Sequence, residues 1–194
     1  CREVLPFGKA TYVDKTFAPN LAAARQIFAL AGKHGVPVQT TSALRYTGVQ
    51  EFVRSIDPVE VSHMVTWGGG GSFSEYAIHP VELAISCMGP GVRRLMRRGT
   101  GRHAQLLLDF SRHRTAVVNV YTNSQTPYAA SVTTTTETRH FVVDTGEIFA
   151  NTAAAALDLF ASGKPTVDRR ESLAIRRILD VAVQKRALKG FAAL

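Results

Sequence analysis

Residues 9–41 carry a strand-like run, a helix and a second strand-like run in close succession, and that order restricts the fold more than any other feature. Residues 9–14 read as a short buried strand, with Lys15-Thr16-Phe17-Ala18-Pro19 as the turn after it. Asn20 is a good N-cap for a helix over residues 21–31, and Gly35 supplies its stop. Residues 36–41 read as a second strand. Strand, helix, strand at this spacing implies a parallel pair joined by a right-handed crossover. In such sheets ligands gather beyond the carboxyl ends of the strands. Lys15 lies just past the first strand and Ser42-Ala43-Leu44-Arg45-Tyr46 just past the second, so these two loops are expected to be neighbours.

After Tyr46 the pattern changes. Residues 49–56 suggest a short helix, and residues 59–67 alternate like a strand. The four glycines 68–71 are expected to form a flexible loop leading to Glu75 and His79. Those two residues are four apart, which on a helix places them on one face. Pro80 removes a backbone donor, so the helix is expected to begin only at about His79 and to run to Gly89. Residues 92–98, 103–111, 115–122 and 128–143 are strand-like and closely spaced, which favours antiparallel pairing. Helices over 147–161 and 170–189 close the chain. The predicted fold class is α+β: an open, mainly antiparallel sheet with helices on one face, over residues 46–194, preceded by a βαβ remnant of a parallel α/β domain over residues 1–45.

The 194 residues suit one domain, or one plus part of another. A net charge of +8 favours anionic partners. Much of it lies in Arg93, Arg94, Arg97, Arg98, Arg102, Arg112 and Arg114. Aromatic residues are not interleaved with these arginines as a stacking platform requires, so nucleic acid is the weaker reading. Cys1 and Cys87 make neither a disulfide framework nor a zinc site, and no metal is expected. The expected compartment is the reducing cytoplasm. No apolar run is long enough to span a bilayer, so no membrane partner is expected. The chain opens on Cys1 rather than Met, as a processed product or a fragment would.

Asp14-Lys15-Thr16, the helix after it, His34-Gly35-Val36-Pro37-Val38, Leu44-Arg45-Tyr46, Ile78-His79-Pro80-Val81-Glu82-Leu83 and the closing Gly163-Lys164-Pro165 resemble the Gfo/Idh/MocA oxidoreductases, the glucose–fructose oxidoreductase and inositol dehydrogenase family. Their order along one chain carries the resemblance. It implies that residues 1–45 are the last part of a Rossmann-type dinucleotide-binding domain. Residues 46–194 would then be a substrate-binding and dimerisation domain. It also implies an NAD or NADP cofactor, a sugar, inositol or related polyol substrate, and a homo-oligomer formed through the open sheet face. The family's Glu-Lys-Pro motif falls on Asp14-Lys15-Thr16, with the lysine kept and the proline lost. Its acid-x-x-x-His pair falls on Glu75 and His79, with Glu in place of the usual Asp.

By that resemblance His79 would take the hydroxyl proton while hydride leaves the carbinol, a task suited to an imidazole. Lys15 would hydrogen-bond the same oxygen and reach the cofactor, Glu75 would orient His79 or bind a substrate hydroxyl, and Arg45 and Tyr46 would contact substrate. The bland alternative makes Lys15 a solvated turn lysine, Glu75 and His79 a surface pair, and Arg45 and Tyr46 packing between domains. The family's Gly-x-Gly-x-x-Gly fingerprint does not occur ahead of Lys15. Gly99-Thr100-Gly101-Arg102-His103-Ala104 fits it by letter, but a strand pattern follows where a helix is required. The chain alone is therefore expected to be inactive and to bind NAD(H) poorly. The competing expectation is a non-catalytic module for ligand binding or oligomerisation.

Overall fold

The computed structural model describes residues 1–194, the side chain of residue 58 excepted. Its first unit is a parallel strand pair, β1 (Thr11–Tyr12) and β2 (Val38–Gln39), connected by α1 (Leu21–Lys33). Asn20 accepts the Ala23 N–H at 2.9 Å and starts α1. Gly35, at φ 62°, turns the chain after it. Leu5, Ala31, Val36 and Val38 form a small apolar cluster, with Val13, Phe17 and Phe28 against it. This cluster gives the unit its own buried apolar surface. The paired strands are shorter than the apolar runs suggest, because only two residues of each exchange ladder bonds.

The larger unit is a seven-stranded sheet in the order β8-β7-β3-β6-β5-β4-β9. Its strands are β3 (His63–Gly70), β4 (Val92–Arg98), β5 (His103–Phe110), β6 (Thr115–Thr122), β7 (Ala129–Thr133), β8 (Thr138–Val142) and β9 (Ala192–Ala193). Neighbours are antiparallel except β3 and β6, which run parallel. Tight turns link β4, β5 and β6, which is why these consecutive strands pair antiparallel. The parallel pair arises because the chain leaves β3 through α3 (Phe73–Tyr76) and α4 (Ile78–Met88) before it returns. α4 packs on β3 and β6, and α6 (Arg169–Ala182) packs on β4 and α4. Met64, Leu106, Leu108, Val118, Val120 and Val132 are buried in the core beneath these helices. Val65, Trp67, Leu107, Val117 and Tyr121 alternate with them, face the other way and are half-buried.

The capping chemistry explains where the helices begin. Thr47 and Gln50 form a capping box for α2 (Gly48–Ser55), Ser72 caps α3, and Asp168 caps α6. α5 (Ile148–Ser162) stops at Gly163, which adopts the left-handed conformation.

Three sequence expectations need correction. Glycines 68–70 belong to strand β3 and are not a flexible loop: β3 pairs with β6 through Gly70 and Thr122. These positions are glycine because a Cβ on Gly69 would strike the Tyr121 carbonyl, and one on Gly68 or Gly70 would strike the rings of Tyr128 or Tyr76. The closing helix is broken after Ala182, with α7 (Lys185–Lys189) following. The run 128–143 is two strands, turned at Thr134, whose hydroxyl accepts the Thr136 and Glu137 N–H groups.

Cys1 is exposed, Cys87 is buried and both are free. Burial pushes the Cys87 thiol up to about 12, so it behaves as packing rather than a nucleophile. Among the described residues, no helix is long and apolar enough to cross a membrane. Among them too, no group of three or more His, Cys, Asp or Glu could hold a metal ion.

Candidate active site

The loop after β1, the loop after β2 and the first turn of α4 meet at one place. His79 stands at the start of α4, and its ring lies between Tyr76 and Tyr128, with centroids 5.8 Å from each. The glycine run makes this possible, since side chains on Gly68 and Gly70 would occupy the space of the two tyrosine rings. Tyr128 is fixed by its hydroxyl, which donates to the Gly69 carbonyl at 2.9 Å. Lys15 reaches across from the first loop, with Nζ 5.1 Å from the centre of the Tyr76 ring. At that range the ring attracts the ammonium and limits where it can point. The Lys15–Thr16 peptide bond is cis.

Beneath His79 lies a buried polar chain. Ser42 Oγ is 2.6 Å from His79 Nδ1. The Ser42 N–H donates to Glu82 Oε2 at 2.7 Å, and the Leu44 N–H donates to Ser42 Oγ at 3.2 Å. Arg45 Nε donates to Glu82 Oε1 at 2.7 Å, and its Nη1 to Glu171 Oε2 at 2.6 Å. These contacts tie the second loop to α4 and α6.

The electrostatics follow from burial. The His79 imidazole is pushed down to about 4, mainly by desolvation and further by Lys15, with Asp14 opposing. His79 is therefore neutral near neutral pH. Burial raises Glu82, and Arg45 counters that rise. Burial works against the charged Arg45, but Glu82 and Glu171 outweigh it and hold the guanidinium charged. With one donor on each of its two oxygens, Glu82 is best described as the carboxylate partner of that guanidinium.

The structure brings Lys15 and His79 together, but not the other three expected residues. Ala77 keeps helical dihedrals, so Glu75 and His79 follow one helical path. Yet Glu75 is exposed and its carboxylate accepts from Ser72 Oγ at 3.0 Å. Arg45 is buried in its double ion pair. The Tyr46 hydroxyl accepts from Gln39 Nε2 at 3.3 Å, and burial raises its pKa. Ser42, Tyr76, Tyr128 and Glu82 were not singled out from the sequence. Glu82 and Tyr76 each lie three residues from His79, the helical spacing that could have flagged them. Ser42 and Tyr128 meet His79 only through tertiary folding.

A dinucleotide needs backbone N–H groups around its pyrophosphate, in a glycine-rich turn that opens a helix. The β1–α1 turn contains no glycine. The glycines ahead of α3 lie in strand β3, tyrosine rings fill the space over Gly68 and Gly70, and α3 is four residues long. Gly99-Thr100-Gly101 forms the turn between β4 and β5. The described residues therefore offer the pyrophosphate no cradle.

No family model and no curated protein matches the chain in sequence. Solved structures do match it in shape. GenD2 of gentamicin A biosynthesis, solved in complex with NAD, superimposes with a TM-score of 0.81 at 14% identity, over 100% of this chain and 74% of its own. A scyllo-inositol dehydrogenase from Lactobacillus casei gives 0.80 at 11% identity, over 97% of this chain and 73% of its own. This chain has the Gfo/Idh/MocA-type oxidoreductase fold. An aldose–aldose oxidoreductase from Caulobacter crescentus, complexed with glycerol, gives 0.72 at 14% identity over 98% and 73% of the two chains. Identities this low establish the shared fold and nothing finer.

Proposed function

We propose that this chain supplies the substrate-binding and proton-handling part of an NAD(P)-dependent oxidoreductase acting on a sugar, inositol or related polyol carbinol. The observation that carries the reading is the convergence of Lys15 and His79 beside Tyr76, on a fold shared with GenD2 and a scyllo-inositol dehydrogenase. The reacting oxygen sits between Lys15 Nζ and His79 Nε2. Both nitrogens stabilise negative charge as it grows there, and the oxygen's proton is exchanged at this pair. The tyrosine rings on either side of His79 give the apolar face of a polyol ring a surface to lie on. Arg45 works from below, holding the second loop onto α4 and α6. A nicotinamide dinucleotide, when bound, supplies the hydride chemistry. Residues 1–45 form the edge of its domain and residues 46–194 the substrate domain.

The proposal extends to assembly. The sheet face bearing Val65, Trp67, Leu107 and Val117 is covered by a second copy of the chain. A concavity of about 540 Å³ lined by Trp67, Tyr121 and Phe141 on that side gives the partner a place to seat apolar side chains.

Fluorescence titration with NADH tests the functional reading. The protein isolated from its source should bind NADH saturably, and the 194-residue chain alone should bind it poorly, since its residues form no pyrophosphate cradle. No binding by either sample would favour a non-catalytic ligand-binding or oligomerisation module, the reading that the absent cradle supports.

A further inference from the structure

We propose that Ser42 is a positioning residue that holds His79 in the tautomer carrying its hydrogen on Nε2, so that His79 meets the reacting oxygen as a hydrogen-bond donor. This rests on His79 standing in the active site, as argued above. Ser42 is fully buried, and its hydroxyl touches two groups, the Leu44 N–H at 3.2 Å and His79 Nδ1 at 2.6 Å.

The hydrogen count decides between the two tautomers. The Leu44 N–H is a donor, so it occupies one lone pair of Oγ. The hydroxyl has one hydrogen to place, and His79 Nδ1 is the acceptor within reach. If Ser42 donates to Nδ1, every hydrogen in the cluster has a partner and Nε2 carries the ring hydrogen. If Nδ1 donates to Ser42 instead, Oγ accepts twice and its own hydrogen is orphaned in a buried site. Leaving a buried hydrogen without an acceptor biases the equilibrium about 5- to 150-fold toward the first arrangement.

The ring is neutral at neutral pH, so its behaviour there is governed by tautomer rather than by charge. With hydrogen on Nε2, that nitrogen has no lone pair for a substrate proton. His79 then stabilises negative charge on the oxygen as a fixed donor. Glu82 completes the arrangement by anchoring the Ser42 backbone N–H at 2.7 Å, which fixes Oγ under the ring.

The test is a long-range proton–nitrogen NMR spectrum of the imidazoles in the 15N-labelled 194-residue chain at neutral pH, with His79 assigned by its loss in His79→Gln. The expected wild-type spectrum shows a bare Nδ1 and a protonated Nε2. Ser42→Ala should move both His79 nitrogens toward the averaged values of mixed tautomers, and Ser42→Thr, which keeps the hydroxyl, should restore the wild-type positions. A wild-type spectrum with Nδ1 protonated overturns the proposal, whether or not the variants fold. So does a folded Ser42→Ala protein whose His79 signals do not move. The spectrum needs neither cofactor nor turnover. Failure to find dehydrogenase activity would thus count against the function and leave the Ser42 assignment standing.

Discussion

Replacing His79 with Gln should remove an acid-sensitive share of the chain's stability. Burial, helped by Lys15 and opposed by Asp14, holds folded His79 down to about 4, against an ordinary value of 6.5. Between those values the unfolded chain binds a proton that the folded chain refuses. Stability from this group is therefore fully present above about 6.5 and is lost as pH falls toward 4. At about 1.4 kcal/mol per pH unit the window amounts to about 3 kcal/mol. Some solvent reaches the ring, which brings the figure to about 2 kcal/mol. Lys15 and Asp14 are the charged groups that act on the ring, while Tyr76, Tyr128 and Ser42 surround it with neutral atoms. A glutamine there can still bond Ser42 and does not titrate. The assay is urea unfolding of wild type and His79→Gln, stepped from neutral pH down to about 4. The wild type should lose about 2 kcal/mol more than the variant across that range. Parallel curves for the two proteins would refute the claim that burial keeps His79 neutral.

Other substitutions probe the scaffold. Gly69→Ala drives a Cβ into the Tyr121 carbonyl and should lower unfolding free energy by about 1–3 kcal/mol, whereas Gly71→Ala, whose nearest neighbour would lie 3.9 Å away, should be close to neutral in the same urea titration. Glu82→Ala leaves the buried Arg45 charge with Glu171 alone and should cost about 2–4 kcal/mol, while Glu75→Ala at the exposed end of α3 should stay within about 0.5 kcal/mol of wild type, both read by thermal unfolding. Val117→Lys places a charge in the middle of the open sheet face and should shift sedimentation velocity toward the monomer, since a like charge would face its own copy across the interface.

Local signals made most of the fold legible. The Asn20 cap, the alanine-rich run after it and Gly35 define α1 without help from the rest of the chain. The alternation in 103–110 defines β5, because each buried leucine is flanked by residues facing the other way. Glycines 68–70 misled for a physical reason: their lack of side chains serves close packing against Tyr121, Tyr128 and Tyr76, which no local pattern reports. The parallel β3–β6 pairing depends on a return through two helices and a hairpin, and is equally silent in sequence. At the site, Lys15 and His79 could be found because each sits in a short motif at an element end. Ser42 reaches His79 from 37 residues away, and Tyr128 from farther along the chain, so folding alone reveals them. Arg45 reads as a loop residue free to bind substrate, but two carboxylates, the buried Glu82 and the half-buried Glu171, already engage it.

The most direct measurement of the central claim is turnover by the protein isolated from its source, with NAD or NADP and a panel of inositols and aldoses, beside His79→Ala and Glu75→Ala forms. The account predicts reduced nicotinamide with at least one polyol. Loss of His79 should cut kcat by about 100- to 1,000-fold with cofactor affinity unchanged, and loss of the exposed Glu75 should have a far smaller effect. A His79→Ala protein that turns over like wild type, or a panel that yields no reduced nicotinamide at all, would contradict it.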